Sequence, residues 1–408
     1  MENLAKYSLI IILAVFFAFC FTVRMTPLSK NEFQQKDIPP MREKLNGSNF
    51  SETYRRLDTT TVKAAKTPHP TETENRRHAE TYRRLDTTPE KTEHLPFLQD
   101  FKNPCWREAD SNSRMCIRCL PYFYLVGAPK CGTTDLFRRL VKHPLISDKC
   151  PKEPHWITRK RFTGGVKKQL SDYLVYFDSA VQKDISRIEA DGYHNAIFGD
   201  CSASTLWDNS NLLRAEKSKN MTTPPFTNAN IIYHLNKHTK IIIILRNPIS
   251  RLYSDYIYFN KEYASAADFH NRVVAMTGLF SSCLKIHSLR YCAYFFHYTV
   301  RIHLGFYHVY IEDYLRVFPK EQIKIIKLED YAKDKNKSMT DVFNFLGTGL
   351  PPKRLMEKIA QHAKANTNWQ RKVEVGEMWQ KTYKLLYDFY KPFNDQLVKL
   401  LGNKFNYN

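Results

Sequence analysis

A buried-strand run, Tyr122-Phe-Tyr-Leu-Val126, runs straight into Gly127-Ala-Pro-Lys-Cys-Gly-Thr-Thr134 and then into a helix expected to reach about Lys142. A glycine-framed turn between strand and helix belongs to an α/β fold. Its Gly127-x4-Gly132 spacing is that of a P-loop, although Thr133 stands where a nucleotide-hydrolysing P-loop has its lysine. Backbone N–H groups of residues 130–134 and the helix N-terminus can cradle a phosphate-like anion. Lys130 would meet that anion from the loop side. The plain alternative is a strand–helix turn with no ligand.

The remaining pattern agrees with a P-loop-like central parallel sheet flanked by helices. Lys240-Ile-Ile-Ile-Ile-Leu245 is apolar on both faces, as a central parallel strand should be. A helix is expected from Pro248 to about Tyr263, with proline in its first turn. Ile323–Leu328 is a third strand, with helices at about 304–318 and 338–346. A last helix runs from about Met378 to Leu401. Strands alternating with helices predict a parallel sheet covered on both faces.

Seventeen uncharged residues, Tyr7 to Val23, precede all this. A helix of that length spans ~25 Å, short for a bilayer but suited to the thinner membranes of the early secretory pathway. We expect residues 1–6 as a cytoplasmic tail and 7–23 as an uncleaved signal anchor with a luminal catalytic part. A cleaved signal peptide is the alternative. Residues 24–104 read as a disordered stem, in which Glu52-Thr-Tyr-Arg-Arg-Leu-Asp-Thr-Thr60 recurs at Glu80–Thr88. One duplication is too little for a solenoid and reads as a repeated spacer.

The formal charge is +21, with 43 % hydrophobic residues. Residues 24–104 hold 15 basic and 12 acidic side chains and 1–23 balance, so +18 lies in 105–408. A basic folded domain calls for an acidic partner. Behind a secretory anchor that partner is an anionic glycosaminoglycan rather than nucleic acid. In an oxidising lumen Cys283 and Cys292, at hairpin-length spacing, are expected to pair. Cys105, Cys116 and Cys119 are read as disulfides or buried thiols, with a zinc site less favoured for want of a second pair at the right spacing. Sequons stand at Asn46, Asn49, Asn220 and Asn336.

A second motif follows the central strand: Leu245-Arg246-Asn-Pro-Ile-Ser-Arg251-Leu-Tyr-Ser254. Arg246 leaves the C-terminal edge of the strand, where ligands sit in open α/β sheets. Ser254 lies two turns into the next helix. Both can reach one phosphate, Arg246 bidentately and Ser254 through its hydroxyl. Alone, an arginine capping the sheet edge would be the better reading.

Together the two motifs resemble the sulfotransferases that use 3′-phosphoadenosine 5′-phosphosulfate (PAPS). The first resembles their 5′-phosphosulfate loop and the second their 3′-phosphate motif. Lys152–Phe162, Gly199–Trp207, Arg251–Phe259 and Asp388–Asn394 look like the N-acetylgalactosamine 4-sulfate 6-O-sulfotransferase branch, a Golgi activity. The likeness covers about 105–408. It implies metal-free transfer of a sulfuryl group to a sugar hydroxyl of chondroitin or dermatan sulfate. Lys130 would stabilise the leaving oxygen, and Cys131, Gly132, Thr133 and Thr134 would hold the 5′-phosphate. Glu153 would be the base, with its pKa raised by burial or its proton moving late, and His155 an alternative base or an orienting contact. Arg159, Lys160, Arg161, Lys167 and Lys168 form an expected acceptor rim, with Asp200, Ser202 and Ser204 as further acceptor contacts. Three alternatives stay open: a heparan acceptor, a P-loop kinase-like nucleotide-binding protein, and a non-enzymatic glycosaminoglycan-binding protein. Oligomeric state is not fixed by the sequence.

Overall fold

The computed structural model describes residues 96–408 except 111, 164–167, 216–223, 225, 261–263, 296–297, 364 and 366–368. The segment expected as an anchor, most of the stem, Asn46, Asn49, Asn220 and Lys167 lie outside the described residues. Asn336 is exposed in the first turn of a helix. Among the described residues no helix is long and apolar enough to cross a membrane.

A hairpin of β1 (Cys105–Ala109) and β2 (Met115–Cys119) precedes the sheet. Four strands then form the parallel sheet: β3 (Phe123–Gly127), β4 (Gly199–Asp200), β5 (Lys240–Leu245) and β6 (Ile323–Lys327). Their order is β4-β3-β5-β6. The chain leaves β3 toward β4 on one side and returns to β5 on the other. The C-terminal ends of β3 and β5 therefore lie side by side at a topological switch point, where doubly wound sheets bind ligands. Tyr124 pairs with Ile241, and Ile243 with Ile325. Ile241 to Leu245 are fully buried. Truncating one of these isoleucines to alanine costs about 2–5 kcal/mol.

The main helices are α1 (Thr133–Leu140), α2 (Pro248–Phe259), α3 (Ala266–Ile286), α4 (Leu289–Phe295), α5 (Tyr307–Leu315), α6 (Lys335–Leu346), α7 (Lys353–Gln361) and α8 (Gln380–Leu401). α1 stops before Lys142. α2 ends at Phe259, where Asn260 caps it and donates its side-chain amide to Tyr256 O at 2.9 Å. The stretch expected as one helix at 304–318 divides into a 3-10 turn at Ile302–Gly305 and α5.

Cys283 and Cys292 are disulfide-bonded, but not in a hairpin: they join α3 to α4. Phe269, Val273, Met276, Phe280 and Leu284 repeat at helical spacing and bury one side of α3. Cys105 and Cys119 form a second disulfide across β1 and β2, and Cys116 is a half-buried free thiol. Packing also begins upstream of Cys105. Phe101 stacks on His194 at 4.1 Å, and Leu98 N donates to Cys105 O at 2.8 Å.

Candidate active site

The loop between β3 and α1 is held in an unusual shape. Gly132, the residue before α1, is left-handed at φ +89°, and a Cβ there would come within 2.8 Å of Leu328 Cδ1. Glycine meets both demands at no steric cost. No side chain caps α1, so the N–H groups of Thr133 and Thr134 face outward without intrahelical partners. Lys130 is also left-handed, at φ +64°. Its ammonium sits 3.7 Å from the centre of the Tyr258 ring. Burial is the largest influence on it and pushes its pKa down; Arg246 and Arg301 add to that, while Asp255 and Glu153 oppose it.

Across from this loop stands Lys152-Glu-Pro-His155. Glu153 and His155 are left-handed too, at φ +61° and +53°. A non-glycine residue in that region costs roughly 1–2 kcal/mol. The surroundings hold it: His155 N donates to Ser202 Oγ at 3.0 Å, and its carbonyl accepts from Arg159 N and Lys160 N at 3.0 Å. Next in sequence, Trp156 stacks on Tyr173 at 4.7 Å, and Tyr173 donates to Asp200 Oδ2 at 2.8 Å. Burial raises the Asp200 pKa.

Glu153 receives Lys152 Nζ at 2.5 Å on Oε1 and faces His155 Nε2 at 3.6 Å on Oε2. The His155 imidazole first, and then the Lys152 ammonium, outweigh burial and hold its carboxyl at about 2. The expectation that burial would raise this pKa is therefore reversed: Glu153 is ionised.

These parts meet in one open cleft of about 1040 Å³. Of the residues singled out from the sequence, Lys130, Gly132, Thr133, Thr134, Glu153, His155, Arg159, Ser204, Arg246 and Ser254 line it. Five do not. Cys131 is turned into the core, where its thiol lies 3.8 Å from Tyr307 Oη and burial pushes it up to about 11; its N–H goes to Ala128 O at 3.3 Å. Arg161 is buried, packed over Trp156 and Phe162. Lys160 points away, over the Tyr176 ring at 5.3 Å. Asp200 and Ser202 are buried behind the site and support Tyr173 and His155. Lys168 is exposed outside the cleft lining.

The cleft also recruits residues that the motifs alone did not single out. Arg301 stacks over Phe259 at 4.3 Å and is braced by Asp255, with Nε to Oδ2 at 2.8 Å. Arg159 is braced in the same way by Asp208 at 2.8 Å. Trp207 lies under Arg301 at 5.7 Å. No spacing rule points to Arg301, which precedes a 3-10 turn. Trp207, Tyr258 and Phe259 lie in segments that carried the resemblance.

The far wall is tied to α1. Asp135, on α1, accepts from Arg139 Nε at 2.9 Å, Tyr331 Oη at 2.6 Å and Ala365 N at 2.9 Å. Arg139 in turn donates to the carbonyls of Ile359, Ala360 and His362 at the end of α7. Ala365, Lys372 and Met378 line the cleft beyond that tie.

The chain is similar to known sulfotransferases. The sulfotransferase domain family matches residues 121–384. Carbohydrate sulfotransferase 15 of Rattus norvegicus is 38 % identical over 305 residues, covering 71 % of this chain and 54 % of the rat protein. The Homo sapiens protein of that name is 37 % identical over the same shares. The chain thus spans about half the length of these relatives. A solved sulfotransferase from Alicyclobacillus acidocaldarius is 24 % identical, with a TM-score of 0.46, covering 69 % of this chain and 96 % of its own. With its phosphate-type loop, its strand-edge arginine and a family match across most of the described residues, the chain belongs to the sulfotransferase family.

Proposed function

We propose that this domain transfers a sulfuryl group from PAPS to a sugar hydroxyl of a glycosaminoglycan, the 6-hydroxyl of N-acetylgalactosamine 4-sulfate in chondroitin or dermatan sulfate. One observation carries the reading: Lys130, Glu153 and His155, all held left-handed, line the same cleft as Arg246 and Ser254. Backbone strain of this kind is kept where the surroundings over-determine it, and it concentrates at functional sites.

The residues present suit such a donor. Thr133 and Thr134 offer outward N–H groups and hydroxyls to the 5′-phosphate. Arg246 and Ser254 would hold the 3′-phosphate. Lys130 would neutralise the bridging oxygen as the sulfur–oxygen bond breaks. Glu153, ionised, would take the proton of the acceptor hydroxyl as the new oxygen–sulfur bond forms. A carboxylate held this low is a weak base at rest, so the proton moves late, after the hydroxyl has gained most of its bond to sulfur. Arg159 and Arg301, each braced by an aspartate, would face the anionic acceptor. No step is assigned to a metal.

A P-loop kinase is opposed by Thr133 at the usual lysine position and by β5 ending in Leu245-Arg246. The proposal includes residues 7–23 as a signal anchor holding the catalytic part in the Golgi lumen. Two disulfides suit that compartment.

The test is transfer from radiolabelled PAPS to a panel of chondroitin, dermatan and heparan acceptors, with 3′,5′-ADP binding measured in chelator. Metal-independent binding with label on chondroitin 4-sulfate is the expected result. Label on heparan alone would overturn the acceptor, and metal-dependent binding without transfer would overturn the reaction.

A further inference from the structure

The His155 ring is held at Nδ1 by the Ser204 hydroxyl, which is itself held by Thr158. Ser204 Oγ lies 2.8 Å from His155 Nδ1 and 2.9 Å from Thr158 Oγ1. Thr158 and Ser204 are both buried. On the other edge of the ring, Nε2 faces Glu153 Oε2 at 3.6 Å.

The hydrogens in this row can be arranged consistently in one direction. An ionised carboxylate only accepts, so a proton on His155 Nε2 suits the edge that faces Glu153. A neutral ring then has a lone pair on Nδ1, and Ser204 must donate to it. The Ser204 oxygen is left to accept, and Thr158 can supply the hydrogen. The opposite tautomer would set the Nε2 lone pair against the Glu153 carboxylate.

We propose that Ser204 is a positioning residue for sulfuryl transfer: it fixes His155 as the Nε2–H tautomer and aims that N–H at Glu153. The proposal rests on Glu153 being the base. With Lys152 on Oε1 and the His155 Nε2 edge 3.6 Å from Oε2, the carboxylate is flanked by a donor on each side, and the lone pair that must meet the acceptor hydroxyl is held in a fixed direction. Lys152 is the partner able to leave, because its ammonium sits on a long stem while His155 is braced at Nδ1 and at its backbone N–H. The charged or titratable groups around the pair are Lys152 and Arg159 on the same segment, Lys130 on the phosphate-type loop, and Asp200 and Cys201 at the end of β4.

The experiment uses the full chain and Ser204→Ala, with Thr158→Val as a second variant. Nitrogen-15 spectra of histidine-labelled protein, with the His155 signal assigned by its loss in His155→Gln, read the tautomer without turnover. The wild type should show Nε2–H, and Ser204→Ala should mix the tautomers. Its kcat should fall ~10- to 100-fold, as when an orienting partner of a ligating histidine is removed. Affinity for 3′,5′-ADP and the melting temperature should hold. The acid limb of kcat/KM should move to higher pH, because a less well-aimed imidazole stabilises the carboxylate less. Thr158→Val should give a smaller change in the same direction.

A wild type with Nδ1 protonated, as the Nδ1–H tautomer or the imidazolium, overturns the proposal. So does a Ser204→Ala protein with the wild-type spectrum and acid limb, or one that loses nucleotide affinity in proportion to its turnover. Full turnover in Glu153→Gln would reject the base assignment instead, and the tautomer reading would still report on Ser204.

Discussion

Arg246 Nη1 donates to the backbone carbonyl of Lys130 at 3.3 Å. The arginine leaving β5 thus buttresses the loop leaving β3, and Tyr307 completes the unit by donating to Arg246 O at 2.8 Å. The two cations proposed to meet opposite ends of the donor are therefore set relative to each other by the protein before any ligand arrives.

Lys130→Ala should leave a folded protein that still binds 3′,5′-ADP and has lost transfer. Removing one preorganised charge-stabilising group costs about 10²–10³ in kcat. The ammonium must be protonated to act, and burial lowers its pKa. In the wild type the alkaline loss of rate should therefore begin below the range of a free lysine. Turnover in the variant at the wild-type rate would reject the loop assignment.

Arg246→Ala should weaken 3′,5′-ADP by about 1.5–3 kcal/mol, the scale of a charged hydrogen bond. Adenosine 5′-phosphosulfate, which lacks the 3′-phosphate, should lose less. Because the same guanidinium also supports Lys130 O, kcat should fall as well, and Arg246→Lys should not restore it. Equal losses for both nucleotides would reject the 3′-phosphate contact.

The two arginines of the basic run should separate. Arg159 lines the cleft, so Arg159→Ala should reduce the kcat/KM preference for chondroitin 4-sulfate over unsulfated chondroitin, with nucleotide affinity intact. Arg161 is buried, packed over Trp156 and Phe162, so Arg161→Ala should lower the melting temperature and leave the acceptor ratio alone. Kinetics on both acceptors and a thermal melt decide between them. An unchanged ratio in Arg159→Ala would mean that Arg159 only steers.

Paired alanines at Cys283 and Cys292 should destabilise the domain by about 2–3 kcal/mol, the expectation for a short closed loop. The change is read in a denaturant melt. The cross-link joins α3 to α4 away from the cleft lining, so kcat/KM of the folded fraction should stay near the wild-type value. A melt that matches the wild type would show that the two helices hold their docking without it.

Much of the site was legible because its chemistry sits on backbone signals. Gly132 and the Ile241–Leu245 run announce a turn and a central strand at the level of sequence. What was not legible depends on side-chain direction. Arg159, Lys160 and Arg161 are consecutive, yet one lines the cleft, one points over Tyr176 and one is buried, because a 3-10 turn at Lys160–Phe162 fans them apart. Asp200 and Ser202 belong to the right segment but act through Tyr173 and the His155 backbone. The left-handed backbone at Glu153 and His155 carries no glycine or asparagine to advertise it. The α3 helix was legible from its apolar spacing, and the attraction of a nine-residue cysteine interval hid it.

Asp135 and Arg139 give the domain a rule for exchange of parts. One carboxylate holds the amide of Ala365, and one guanidinium closes the last carbonyls of α7, so the wall carrying Lys372 and Met378 is keyed to the helix that begins at the phosphate-type loop. A chimaera that imports residues 362–378 from a relative would have to keep its incoming amide and carbonyls in register with α1. Grafting α1 alone would misplace a wall it never touches in sequence. Donor loop and cleft wall are inherited together or not at all.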